Sequence, residues 1–564
     1  MAFSISPGVT VSEVDLTTVV PSVLTTAGAF AGRFAWGPAN KRITVSSESE
    51  LNQRFGNPNN DNYTSYFTAA SFLAYGNNLK VVRAVATTTY NAESGAGASL
   101  QIRNEDDFDN TYLRADNADS YGAFVARYPG VLGNSLVVSV ADSDSYSVWT
   151  YKSYFPGAPG TSAQATDAGS LYDEFHVIVI DAGGLFTGVK GTILEVFPFL
   201  SKGSDATDSL GNSNYYRNYI FNNSKYVYAM GPASYATTNA TWDLPLSSQT
   251  TYTKLASAET LTMANGTDAA PTAGSYETAF GEFSNGDEVD VSLVITGDAP
   301  VVTQQWVIDN VANTRKDCIA FVSPPSANVV NQSGSEVTNI TAWTAALAKS
   351  TSYAVADSGW KYMFDKYNNV YRWVPLNGDI AGLCVYTDSV RDPWYSPAGY
   401  NRGNLKNVVK LAWNPTKAER DSLYTLGINP VATFPGQGTV LFGDKTLLSK
   451  PSAFDRINVR RLFIVLEKAI AQASKFSMFE FNDDFTRAQF VALVTPFLRD
   501  IQGRRGIYDF RVVCDTTNNT SQVIDSNQFV GDIYVKPARA INFIQLNFVA
   551  VRTGVDFTEV VGKF

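Results

Sequence analysis

Few residues in this sequence are placed to do chemistry. GQGTVLFGDKT (436–446) approaches a phosphate-binding loop. Such a loop needs lysine directly after its second glycine, so that the ammonium reaches the terminal phosphates. Asp444 takes that position and would repel an anion. TVLF also reads as a strand where the loop should curl. The segment is expected to be two strands, VATF and TVLF, joined by a glycine-rich turn. Glu480, Asp483 and Asp484 crowd together in FEFNDDF, and paired carboxylates can do acid–base work. No catalytic partner is visible beside them, and the expected role is to cap the next helix at Thr486. The single histidine, His176, lies in EFHVIVID. Any histidine triad or zinc site would have to use it, and a half-buried strand position is the expectation. Cys318, Cys384 and Cys514 are scattered, odd in number and apolar in setting. They read as buried thiols in a reducing compartment, not as a disulfide framework. The acidic run near Asp142 lacks the glycine and terminal glutamate of a calcium loop. The sequence therefore offers no catalytic residue, cofactor or metal site, and an enzyme is not the expectation.

Two basic clusters stand out: Arg456, Arg460 and Arg461 within one helical turn, and Arg499, Arg504 and Arg505 at a helix C-terminus. Compensation of the helix dipole and pairing within the chain compete with an interface role. The net charge of −10 argues against a nucleic-acid coat, which needs clustered excess lysine and arginine, and the aromatic interleaving of a single-strand binder is missing.

The elements that would position these groups belong to a multidomain chain. At roughly 150 residues per domain, 564 residues give about three or four domains. With 45% hydrophobic and 13% aromatic residues, there is apolar material for several cores. No signal peptide or membrane-crossing run is expected. Residues 1–22 read as an extended arm, an orphan strand (Val9, Val11, Val14) that needs a sheet to join. Residues 23–95 open an α/β unit. In it SSESELNQRFG forms a helix capped by Ser47 or Ser49 and closed by Gly56, YTSYFTAASFLAYGN forms an amphipathic helix, and LKVVRAV forms a buried strand. Residues 96–185 read as an inserted β-rich domain with strands NSLVVSVAD and YSVWTYKSYF. Residues 186–379 read as an inserted mixed α/β domain with a βαβ-like pattern from EVDVSLVITG to DCIAFVSPP. Segments 232–275 and 325–340 read as surface loops. From 380 to 540 the core resumes. One long helix carries the stripe Leu462, Val465, Leu466, Ala469, Ala473. A second, from Thr486 on, carries Phe490, Leu493, Val494, Phe497, Leu498 and Ile501, with a kink expected at Pro496 and an end at Gly503. Strands IYDFRVVCD and GDIYVKPA follow, and 541–564 is a final strand arm containing Phe543, Leu546 and Phe548.

Several long motifs, in order, resemble one family, the tail sheath proteins of contractile-tailed phages, especially the T4-like group. They are SPGVTVSEVD (6–15), AFAGRFAWGPAN (29–40), ARYPGVLGNSL (126–136), GLFTGVKGTILE (184–195), RDPWYSPAGYNRG (391–403), INPVATFPGQGTVLFGDKT (428–446), FDRINVRRLF (454–463), FEFNDD (479–484), FLRDIQGRRGIYDFRVVCDTTNNT (497–520) and VIDSNQFVGDIYVKPARAINFIQLNFVAVRTG (523–554). The match is densest over 380–564 and fails over 232–275 and 325–340. The resemblance implies an α/β (α+β) multidomain fold: a core of mixed sheet and helices from the N- and C-terminal parts, inserted β-rich and α/β domains projecting outward, and extended terminal strand arms. It implies a virion protein, assembled in the host cytoplasm, that stacks on copies of itself as hexameric rings around a tail tube, between a baseplate and a tail terminator. Contraction would drive the tube through the host envelope for genome delivery, with no cofactor, nucleic acid or membrane insertion. Arms at 1–22 and 541–564 would link neighbours by strand addition, and Arg456, Arg460, Arg461, Arg504 and Arg505 would contact an acidic tube or a neighbour. The sheath of another contractile injection device, a bacteriocin or a secretion system, is the alternative. A capsid or fibre component and a nucleotide hydrolase using 436–446 compete more distantly.

Overall fold

The computed structural model describes residues 20, 23–95, 97, 99–114, 118–232, 241–542 and 545. The chain divides into two compact units, one running from Val20 to Phe476 and one containing Ser477 onward. It combines helices with several sheets, an α+β multidomain architecture.

In the first unit, strands β1 (Gly28–Gly32), β2 (Ile43–Val45) and β3 (Leu79–Arg83) open the central sheet. Between β2 and β3 lie α1 (Glu48–Phe55) and α2 (Tyr63–Leu73). Ser47 caps α1 by accepting from the Glu50 N–H, and Gly56 closes it at φ 77°, as expected. The chain then leaves for a β-rich region. β4 (Phe124–Ala126) pairs with β8 (Val227–Ala229). β5 (Leu136–Asp142), β6 (Glu174–Asp181), β7 (Thr192–Ser201) and β9 (Glu259–Thr262) form an antiparallel sheet ordered β7-β6-β5-β9. The central sheet resumes with β10 (Leu293–Ile295), α3 (Val301–Val307), β11 (Ile319–Val322), α4 (Glu336–Leu347) and β12 (Ala354–Asp357). β13 (Trp360–Asp365) and β14 (Val370–Pro375) make a hairpin joined by β15 (Lys410–Leu411), after α5 (Asn377–Val390). Helix α6 (Lys417–Thr425) carries a full capping box at Thr416 and Glu419. β16 (Ile428–Asn429) closes the sheet edge, and β17 (Val431–Phe434) and β18 (Gly438–Leu441) form a hairpin before α7 (Ile457–Ser474).

The seven-stranded sheet runs β16-β12-β11-β10-β1-β3-β2, parallel throughout except for β2 against β3. Alternate residues feed two cores. Phe30, Val81, Leu293 and Ile295 enter one with α2 and α5. Ala29, Val82 and Val294 enter the other with α3 and α4. A parallel sheet buried on both faces shows no alternation of polarity along its strands.

Several expectations are corrected here. The division drawn at 379/380 cuts the central sheet, because β10, β11 and β12 hydrogen-bond in register with β1. The division at 185 falls inside the β6–β7 hairpin. Composition marks exposed loops and not sheet membership, so it misplaced both. YSVWTYKSYF is two short 3-10 turns, because Trp149 and Phe155 fold back onto the sheet beside Ile178 and Ile180. Helix α2 is not amphipathic: every residue from Ser65 to Phe72 is buried, between α5, β14 and the sheet. The stretch 325–340 contains helix Ser326–Val329 and the start of α4, and 232–275 contains β9.

In the second unit, α8 (Asp484–Gly503) packs on an antiparallel hairpin of β19 (Ile507–Val513) and β20 (Asp532–Pro537). Phe490, Val494, Leu498 and Ile501 point inward at helical spacing, and Pro496 lies within the helix. Phe490 meets Phe529 edge-on at 5.5 Å. Gly531 is required there, since a Cβ would lie 2.6 Å from the Phe490 ring.

Candidate assembly surfaces

The enzyme-like residues are all absorbed by the fold. GQGTVLFGDKT is the β17–β18 hairpin, with Gly436 and Gly438 at φ 73° and 77°. Lys445 donates to the Tyr424 carbonyl at 2.6 Å, and Asp444 accepts from Ser396 and Tyr424 hydroxyls at 3.1 and 3.2 Å. His176 is fully buried in β6. Its Nδ1 accepts from the Phe199 N–H at 3.0 Å, so its proton sits on Nε2 and is donated to the Gly157 carbonyl at 2.9 Å. Burial pushes its pKa below the usual histidine range, which keeps it the neutral side chain this geometry needs. Cys318, Cys384 and Cys514 are free and buried. Asp483 caps α8 by accepting from the Thr486 N–H at 2.8 Å, as expected.

Open α/β sheets hold ligands at the carboxyl ends of their strands. In this chain the N-terminus of α5 fills that space. Asn377 exchanges two hydrogen bonds with Gly297, at 3.2 and 2.7 Å. Asp357 accepts from the Ser323 hydroxyl at 2.6 Å and the Gly359 N–H at 2.9 Å. Lys361 pairs with Asp379 at 2.8 Å, both 1% exposed. Burial pushes the Asp357 carboxyl up to about 7 and raises Asp379 as well.

The first basic cluster points inward. Arg461 grips Asp388 with both terminal nitrogens, at 2.8 and 2.6 Å, and Arg460 donates to the Tyr353 hydroxyl at 3.0 Å while lying over Phe454. Arg460 and Arg461 are 5% and 4% exposed. As an expected outward contact this pair is corrected: a buried guanidinium is held by the partners that compensate its desolvation. Arg456 lies 3.7 Å from Asp444. Arg504 and Arg505 do face solvent, with Arg504 3.6 Å from Asp500 one turn back.

The surface left incomplete is in the second unit. β19 and β20 make a two-stranded sheet, and among the described residues neither outer edge has a strand partner. An isolated ribbon of two strands is marginal in water and is completed by further strands. Tyr508 and Tyr534 are 66% and 61% exposed on it. Sequence reasoning missed its neighbour: Met478, Phe479, Phe481 and Phe485 form a ridge exposed at 59%, 104%, 83% and 69%. Asn482 fastens this ridge beside the hairpin, donating to the Gln528 carbonyl at 2.8 Å. The F-E-F pattern is the available signal, aromatic residues set among polar ones with no apolar stripe to join. Contiguous apolar exposure of this kind marks an interaction surface. Val9, Val11, Val14, Phe543, Leu546 and Phe548 lie outside the described residues. No helix among the described residues is long and apolar enough to cross a membrane.

Comparison with known proteins aligns with this picture. Residues 297–447 match the phage tail sheath protein central domain and residues 449–550 the phage tail sheath C-terminal domain. The chain is similar to the tail sheath protein of Vibrio phage KVP40, 36% identical over 99% of this chain and 100% of that one. It is similar to the tail sheath protein of Enterobacteria phage T4, 33% identical over 99% of each. Its fold is similar to a contracted sheath of an extracellular contractile injection system, with TM-score 0.53 and 14% identity over 99% of this chain and 100% of that one.

Proposed function

We propose that this chain, which belongs to the phage tail sheath proteins, polymerises around a tail tube as stacked hexameric rings and shortens by rearranging subunits that stay linked through their terminal arms. Contraction drives the tube through the host envelope for genome delivery. The observation that carries this reading is the β19–β20 hairpin, neither outer edge of which has a strand partner among the described residues. A strand from a neighbouring subunit laid on either edge gains directional main-chain bonds that tolerate side-chain change. The segments 1–22 and 541–564, with Val9, Val11, Val14, Phe543, Leu546 and Phe548, supply those strands. The exposed Arg504 and Arg505 meet an acidic tube or a neighbour. The first unit, closed on both sheet faces, moves as a rigid body.

The test is electron microscopy of the purified chain at rising concentration, alone and with its tube protein. Hollow helical tubes are expected. Deleting residues 1–15 leaves a folded monomer that does not polymerise, and ordered tubes from the truncated chain would overturn the arm reading.

A further inference from the structure

We propose that α7 is a load-bearing strut, which ties the root of the N-terminal arm to the start of the second unit and makes Arg461 a positioning residue for the arm. The inference rests on the arm reading above. It starts from residues 23–25, which open the first continuous stretch of the described chain and line one small pocket together with Arg461, Ile464, Val465 and Lys468 of α7.

Two polar routes fasten the stretch to that face. In the first, the Thr25 hydroxyl donates to Asp388 Oδ2 at 2.7 Å, and Asp388 is held by both terminal nitrogens of Arg461. Arg461 also donates to the Cys384 carbonyl at 3.3 Å, fixing its guanidinium on α5, the helix that carries Asp388. In the second, Lys468 donates to the Ser292 hydroxyl at 3.2 Å, and that hydroxyl donates to the Leu24 carbonyl at 2.9 Å. Lys468 is itself anchored on Asp290 at 2.7 Å. Arg461 and Lys468 are seven residues apart, two turns on one helical face and about 10 Å along the axis. A tensile load entering at Thr25 thus reaches the helix at two points. The same helix ends at Ser474, three residues before Ser477 opens the second unit. The clamp on α7 thus shares with the sheet a load that the backbone also carries from Thr25 into β1 three residues on.

The double variant Thr25→Val and Ser292→Ala cuts both routes and leaves both ion pairs intact. In the full-length monomer it should raise amide exchange at positions 292 and 293, whose N–H groups donate to the Ala27 carbonyl at 2.9 and 3.1 Å, by about tenfold, a response of the size set by losing a net hydrogen bond, with exchange in β1 unchanged. Tubes assembled from it should dissociate at lower urea than wild-type tubes. Arg461→Lys, which keeps the charge but not the two-point grip, should shift tubes in the same direction. Unchanged exchange at 292 and 293 overturns the clamp. Loosened exchange with wild-type resistance of the tubes overturns the strut. Failure of the wild-type chain to form tubes, or tubes that form without residues 1–15, would instead strike the arm reading, and the exchange measurement on the monomer would still decide the clamp.

Discussion

Asp357→Asn tests whether the carboxyl end of the central sheet is held together by groups facing one another in the absence of water. Asp357 is 2% exposed, and burial pushes its carboxyl from 3.8 to about 7. The folded state therefore holds the proton more tightly than the unfolded chain. Stability from this group is full below about pH 4, falls as pH rises, and reaches its full penalty above about pH 7. Between pH 5 and 8 the wild-type chain loses roughly two pKa units of stability at this site, about 3 kcal/mol. Asparagine does not titrate. Any fixed cost of seating its amide beside Ser323 and Gly359 is the same at both pH values and cancels in the difference. Urea unfolding of dilute monomer at pH 5 and pH 8, wild type against variant, should show the variant gaining about 3 kcal/mol on wild type over that interval. A stability difference between the two chains that stays flat with pH would refute the claim that Asp357 is buried as an acid. A difference that falls with pH would refute its sign.

Arg461→Ala strands Asp388 without its partner in the core and should destabilise the first unit by about 3–5 kcal/mol, read as a loss of the urea midpoint. Charge reversal of the solvent-facing Arg504 and Arg505 should move the same midpoint by no more than about 0.5 kcal/mol, while weakening tube-templated assembly in a salt-sensitive way. Phe479→Ser with Phe481→Ser should leave monomer stability unchanged, because both rings are already in solvent, and should raise the concentration needed for tube growth in sedimentation; unaltered growth would show that the ridge stays bare in the assembly.

What the sequence made legible was local. The stripe from Leu462 to Ala473 announces α7 because its apolar positions recur at helical spacing on an 18-residue helix. The cap at Ser47, the end at Gly503 and the β17–β18 hairpin follow from side chains that act within a few residues of themselves. What was not legible was long-range. β10 has three residues, all buried, so it carries no polarity pattern, and its place beside β1 is set by pairing with a strand more than 250 residues away. Arg461 reads as a surface charge because its partner, Asp388, lies 73 residues earlier. Helix α2 was expected to show a polar face, but Ser65, Thr68 and Ser71 are buried, and Thr68 satisfies its hydroxyl on the Thr64 carbonyl. The exposed ridge was hidden for the opposite reason: aromatic residues imply burial unless another molecule provides it.

The two units divide the physical demands of contraction between them. The first spends its charges internally: Lys202 on Asp142, Lys361 on Asp379 and Arg461 on Asp388 are all nearly inaccessible pairs. Removing any one partner is costly, so that unit resists deformation. The second keeps its capacity for contact at the surface, in a hairpin whose outer edges are unpaired among the described residues and in the four exposed apolar side chains of the ridge. Fully burying a side chain of that size yields about 1.5–3 kcal/mol, and the four together expose the equivalent of about three full side chains, so covering the ridge in one state and baring it in another would separate the two by about 5 kcal/mol or more per subunit. The energy gap between common conformational states is only a few kcal/mol. On the proposed reading, differential burial at this one surface would suffice to select a sheath state, without strain stored in the rigid unit.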